Sequence, residues 1–189
     1  MLNVFNLVSC AMYGLTDAGA STVGMLLGKG QPDDAKRAGM VLLSCMTVMG
    51  VGVAACFVVL HKQVGKFFSN EGDVIGYASK LSMILSICYV LLALTFACFG
   101  TLQGQGRPHI AAISMFFGLW GLSVPLAWLF GLHEDYGLVG IWWGLCIGYA
   151  CMTAVMVSFV ARSDWGALSV AAKKRSEAKK EDEEEGDVI

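Results

Sequence analysis

An all-α membrane protein is the fold this sequence predicts, and three observations predict it. Five apolar stretches are each long enough to cross a bilayer, which takes about 20 residues. The last four of them contain no Asp, Glu, Lys or Arg. Across the 189 residues, 56% are hydrophobic and only 15% charged, whereas a soluble domain carries about 25% charged residues. That balance excludes an ordinary soluble enzyme, and it excludes disorder over most of the chain, because disordered segments are polar and charge-rich. A net charge of −2 lacks the basic footprint of a nucleic-acid binder.

The stretches run Leu2 to Leu27, Gly39 to Leu60, Leu81 to Leu102, Ile110 to Gly131 and Leu138 to Ala161. Lipid cannot satisfy an open backbone, so runs of this length are expected as helices. No alternation of the kind needed for β-barrel strands is visible. The connection Lys29 to Ala38 is flanked and filled by turn and cap formers: Gly28, Gly30, Pro32, Asp33 and Asp34. His61 to Lys80 reads as a longer polar connection whose later half can start the third helix. Gln103 to His109 holds the turn Gly104-Gln105-Gly106-Arg107-Pro108, and Leu132 to Gly137 carries His133, Glu134 and Asp135.

Residues 1–161 thus form a transmembrane domain. After it, Ser163-Asp164 can cap a further helix, and Trp165, Leu168 and Ala172 follow on one face. With Lys173, Lys174 and Arg175 next, residues 162–180 read as a short amphipathic helix on the membrane surface. Residues 181–189 read as a disordered acidic tail. Lys29, Lys36, Arg37, Arg107 and the basic tail share one side, so the positive-inside rule makes that side and the C-terminus cytoplasmic. Met1 then lies on the outer face, and no secretory signal peptide is evident.

Asp17 is the only acid deep within an apolar run. A carboxylate at the bilayer centre costs about 2.5–3.5 kcal/mol on insertion scales and is tolerated facing a bundle interior or a water-filled cavity. There it suits uptake and release of a proton. The alternative is a neutral acid hydrogen-bonded to Thr16, Ser21 or Thr22. The small-residue run Thr16 to Gly24 fits either a polar cavity wall or a tight helix interface. Gly24/Gly28, Gly100/Gly104 and Gly140/Gly144/Gly148 recur at four-residue intervals and mark packing faces. Pro125, mid-span, removes a helix hydrogen bond and predicts a kink, static or hinging. Trp142 and Trp143 fit the interfacial belt. A Trp facing a cavity can hold an organic cation, which makes Trp120, with Tyr89, a candidate for the pathway.

Catalytic and metal templates are empty. His61, His109 and His133 fall one per loop, and no phosphate loop is present. The seven cysteines include no CxxC pair and read as apolar filler at helix interfaces. No enzyme activity, cofactor or metal is expected.

Several segments in order resemble the multidrug and toxic compound extrusion (MATE) family. They are Ala18 to Gly30 (AGASTVGMLLGKG) with Ala35-Lys36-Arg37, Gly100-Thr101-Leu102-Gln103-Gly104-Gln105-Gly106, the helix of Pro125, Gly137 to Gly144 (GLVGIWWG), and Ser163-Asp164-Trp165. The resemblance implies helices eight to twelve of a twelve-helix antiporter, a fragment of its carboxy-terminal lobe. It implies exchange of a small organic, often cationic, substrate for H⁺ or Na⁺ across a plasma or vacuolar membrane. A missing N-terminal lobe or an oligomeric partner would supply the opposite cavity wall, so these 189 residues alone are not expected to transport. Departures are Leu91 to Phe96, where family members often carry an acid, and Asp17, where they commonly carry a small or apolar residue. Two other readings are a lipid-linked saccharide flippase, disfavoured by the absence of Lys or Arg in the spans, and a non-transporting membrane interaction module.

Overall fold

In the computed structural model, the backbone is described for residues 2–68, 72–133 and 137–186, and side chains for 10–59, 81–133 and 137–178. The order is α1 (Leu2–Gly28), α2 (Pro32–Phe68), α3 (Gly72–Gly104), a broken fourth helix, α6 (Gly137–Ala161) and α7 (Trp165–Gly186). The fourth helix consists of α4 (Pro108–Phe116), a wide π turn (Phe117–Ser123), α5 (Val124–Trp128) and a second π turn (Leu129–His133).

Among the described residues, four segments are long and apolar enough to cross a membrane: Pro32–Val59, Leu81–Gly104, Pro108–His133 and Gly137–Ala161. Large apolar side chains face outward along them, including Val48, Val59, Phe117 and Trp120. α1 carries Asp17 and is not one of the four. The later half of His61 to Lys80 starts α3, at Gly72, as the sequence allowed, but its first half is helix instead of connection, because α2 continues to Phe68. A helix held by packing in its apolar part can propagate into a polar part at one hydrogen bond per residue. Residues 69–71 and 134–136 lie outside the described residues, and so do the expectations for Glu134 and Asp135.

α3 is the most buried of the four and touches α1, α2, α4 and α6. One core joins α1, α2 and α3 around Met12, Met46, Tyr89 and Phe96; a second joins α3, α4 and α6 around Leu102, Ala111, Met152 and Met156. α1 and α3 meet backbone to backbone. A Cβ built at Gly100 would lie 2.9 Å from the Thr16 carbonyl oxygen, and one at Gly104 would lie 2.6 Å from that of Ala20. Gly24 faces Gly104 across the same seam, and Gly144 does the same work against Ala127 of α5. Gly140 is buried in α6. Gly28 packs on nothing within 4 Å and serves instead at the end of α1.

The two Gly-x-Gly segments fold alike. Gly30 (φ 78°) and Gly106 (φ 71°) take the left-handed conformation that ends a helix. Gln31 N–H bonds back to Leu26 O at 3.0 Å, and Arg107 N–H to Leu102 O at 2.9 Å. Both turns lie at the same end of the bundle as α7.

Two expectations are corrected. Cys88 and Cys146 are not filler: they form a disulfide between α3 and α6, with Cα atoms 5.5 Å apart. The pair is 58 residues apart in sequence, so it has no local signature; helix adjacency makes it. The acidic run is not disordered where described, because α7 continues to Gly186. Its Ala, Lys and Glu residues are strong helix formers, and Lys173 lies 4.0 Å from Glu177. Residues 187–189 lie outside the description. The apolar face of α7 also rests on protein: Trp165, Leu168 and Ala172 pack with Val23, Leu27 and Ala35 of α1 and α2. Asp164 caps the helix, accepting from Gly166 N–H at 3.0 Å and Ala167 N–H at 3.1 Å.

Candidate functional site

The site is built on α1. Thr16, Ala20 and Val23 point inward to α3 and are buried. Successive helix residues turn by 100°, so Asp17 and Ser21, next along the chain, are carried out of that seam. Asp17 and Ser21 are exposed on a face that none of the other described helices covers, and Thr22, also exposed, is turned about 140° round the helix from Asp17. Met25 extends the same face, whereas the Tyr13 ring packs edge-on against Phe96 of α3, ring centroids 4.7 Å apart.

Asp17 makes no hydrogen bond or ion pair among the described residues. The neighbouring threonines do not hold it. Thr16 Oγ1 donates to Met12 O at 2.8 Å, and Thr22 Oγ1 to Ala18 O at 2.8 Å. These bonds spend the threonine protons on α1 itself. The carboxylate is therefore left free for a ligand, an ion or water. Eleven residues separate it from Gly28, or about 16 Å along the axis at 1.5 Å per residue. That is close to half of a hydrocarbon core about 30 Å thick.

The other candidates do not gather at Asp17. Tyr89 is fully buried on α3 and stacks on Phe57 of α2, ring centroids 5.3 Å apart. Trp120 is 68% exposed on the first π turn, a segment that does not touch α1. Around Pro125 the helix is wound in π turns on both sides, and Ser123 Oγ donates to Gly118 O at 3.0 Å. π turns are rare and recur at functional sites.

A polar contact escaped the sequence reading. Thr95 and Thr153 place their hydroxyls 2.6 Å apart between α3 and α6, where they are buried. Their signal was present but not distinctive: each is one of a few hydroxyl residues in a mostly apolar stretch. Thr95 falls within Leu91 to Phe96, where no acid is present.

A family model described as MatE matches residues 1–129. The chain belongs to the MatE family. Among curated relatives, multidrug and toxin extrusion protein 1 of Xenopus tropicalis is 29% identical over 164 residues, covering 86% of this chain and 28% of that protein. A probable multidrug resistance protein NorM of Rhodopseudomonas palustris is 24% identical, covering 82% of this chain and 34% of that protein. This MatE chain thus spans about a third of the length of such relatives. The fold is shared with the crystal structure of the eukaryotic MATE transporter AtDTX14, with a TM-score of 0.82 and 24% identity over 92% of this chain and 40% of that one. With its apolar helices, MatE membership makes this a multi-pass membrane protein.

Proposed function

We propose that this chain forms part of one lobe of a MATE-type secondary antiporter that exports small organic cations in exchange for H⁺ or Na⁺. The observation that carries the reading is the unpartnered Asp17 carboxylate on the uncovered face of α1, near mid-membrane depth. An intramembrane acid facing lipid is costly, so this face is assigned to a water-filled pathway closed by a second lobe. A carboxylate there attracts an organic cation and alternately holds the coupling ion, so the two compete for one site. Ser21, one turn along α1, lines the same wall with a polar group, and Thr22 sits at its edge. Alternating access then follows from rocking of one lobe against the other around this site. Trp120 and the π turns at Pro125 belong to bending of the fourth helix. The end bearing Lys29, Lys36, Arg37, Arg107 and α7 is placed on the cytoplasmic side of a plasma or vacuolar-type membrane.

The test is ion-driven efflux of a fluorescent organic cation from vesicles containing the protein in its full-length form. Asp17→Asn is expected to lower coupled efflux roughly tenfold or more while leaving the amount of folded protein unchanged. Undiminished efflux in Asp17→Asn would remove the reading.

A further inference from the structure

A groove of about 270 Å³ opens where α2, α3, α6 and α7 meet, on none of whose walls α1 takes part. Its floor is α3, through the buried Ala97, Cys98 and Thr101. Its sides are apolar: Met40 and Leu43 from α2, Val157 and Val160 from α6. Met40 (52% exposed) and Val157 (41% exposed) leave the trough open laterally, toward the bilayer. One end is polar, closed by Lys36, Ser163 and the Trp165 ring. The ring packs beside Gly39, where a Cβ would lie in ordinary contact, 3.4 Å from Trp165 Cη2.

We propose that this groove is a binding site for one anionic phospholipid, with an acyl chain in the trough and the phosphate at Lys36. Three independent features select that occupant. The first is polarity along the groove, apolar along its length and cationic at one end, which is the polarity of a lipid. The second is depth. Lys36 is in the opening turns of the span Pro32–Val59, and Ser163 and Trp165 follow the end of the span Gly137–Ala161. The mouth is therefore at headgroup level, where Trp side chains and basic pockets between helices receive lipid. The third is charge. Arg37 is engaged by Asp34 at 3.7 Å, whereas Lys36 has no ion-pair partner among the described residues. Of the other nearby acids, Asp164 is spent on the cap of α7, and Asp33 lies one turn before Lys36 on the exposed start of α2. An organic cation is disfavoured here by the lysine, so this site is distinct from the Asp17 face. A lipid seated in it ties α2, α6 and α7 together.

The full protein, purified in neutral detergent and stripped of lipid, is titrated with phosphatidylglycerol or phosphatidylcholine. Retained lipid is counted by native mass spectrometry. The expected result is one tightly retained phosphatidylglycerol and little phosphatidylcholine. Lys36→Glu should weaken retention roughly fivefold or more, and Val157→Trp should weaken it by filling the trough. Lys174→Glu, exposed on α7 and away from the groove, should leave it intact. Equal retention of the two lipids overturns the proposal. So do equal losses in Lys36→Glu and Lys174→Glu, which mark diffuse attraction, and so does full retention in Lys36→Glu. If the charge reversal disturbs folding, Lys36→Gln takes its place, scored only with unchanged helical circular dichroism: weakened retention supports the site and full retention overturns it.

Discussion

Thr16 of α1 and Gly100 of α3 meet so closely that a single added methyl at Gly100 would press on the Thr16 carbonyl oxygen at 2.9 Å. That contact fixes the rotation of α1 about its own axis. With Thr16 locked inward, Asp17 is turned out, so a packing detail in the core sets the direction of the charged group.

Gly100→Val and Gly104→Val should therefore be costly. Each forces α1 and α3 apart, an overpacking effect of about 1–3 kcal/mol. Thermal unfolding in detergent should show both variants less stable. Gly28→Ala, where nothing lies within 4 Å, should be near neutral.

The Thr95–Thr153 pair should contribute little despite its burial. Thr95 Oγ1 also lies 2.9 Å from Leu91 O, and Thr153 Oγ1 lies 2.7 Å from Tyr149 O. Either hydroxyl alone keeps a partner when the other is removed. A double-mutant cycle with Thr95→Val and Thr153→Val is expected to give a coupling of about 0.6 kcal/mol, the usual size for such bonds in membranes. A coupling several times larger would contradict this.

Ser169 should matter more to α7 than to the bundle. Its buried hydroxyl donates to Leu27 O at 3.1 Å, a second bond to a carbonyl at the end of α1 that also accepts from Gly30 N–H. Ser169→Ala should cost about 0.5–1.5 kcal/mol. Hydrogen exchange should rise across residues 165–178 while the α3 amides keep their protection.

Much of this architecture was legible because apolar runs of bilayer length leave few alternatives to helix. Asp17 was legible for the opposite reason, as a charge where charge is expensive. What was not legible depends on rotation and adjacency. Nothing in the spacing of Cys88 and Cys146 announces a bridge, because α3 and α6 become neighbours only after the broken fourth helix turns back. Tyr89 was a plausible cavity residue by composition, yet the rotation of α3 spends it against Phe57. The helical stretch 61–68 was hidden by its polar composition, since propagation from a packed helix does not require an apolar face, whereas the start of α3 in the later half of His61 to Lys80 was legible.

The disulfide makes its own prediction. Cys88 and Cys146 are buried, 7% and 3% exposed, so alkylation without reduction should spare both while modifying Cys10, Cys45, Cys56 and Cys151, which are exposed. Peptide mapping under non-reducing conditions should recover a single linked pair from α3 and α6.

Whether the Asp17 face of α1 lines an aqueous path is decided by labelling Asp17→Cys in membranes. The reagent is a charged thiol probe that does not enter lipid, and the background has its other free cysteines replaced by serine. Val48→Cys, 73% exposed on the apolar outer surface, is the lipid-facing control. Rapid labelling is expected at position 17, with little at position 48. Equal, slow labelling at both positions would show that no such path runs along α1.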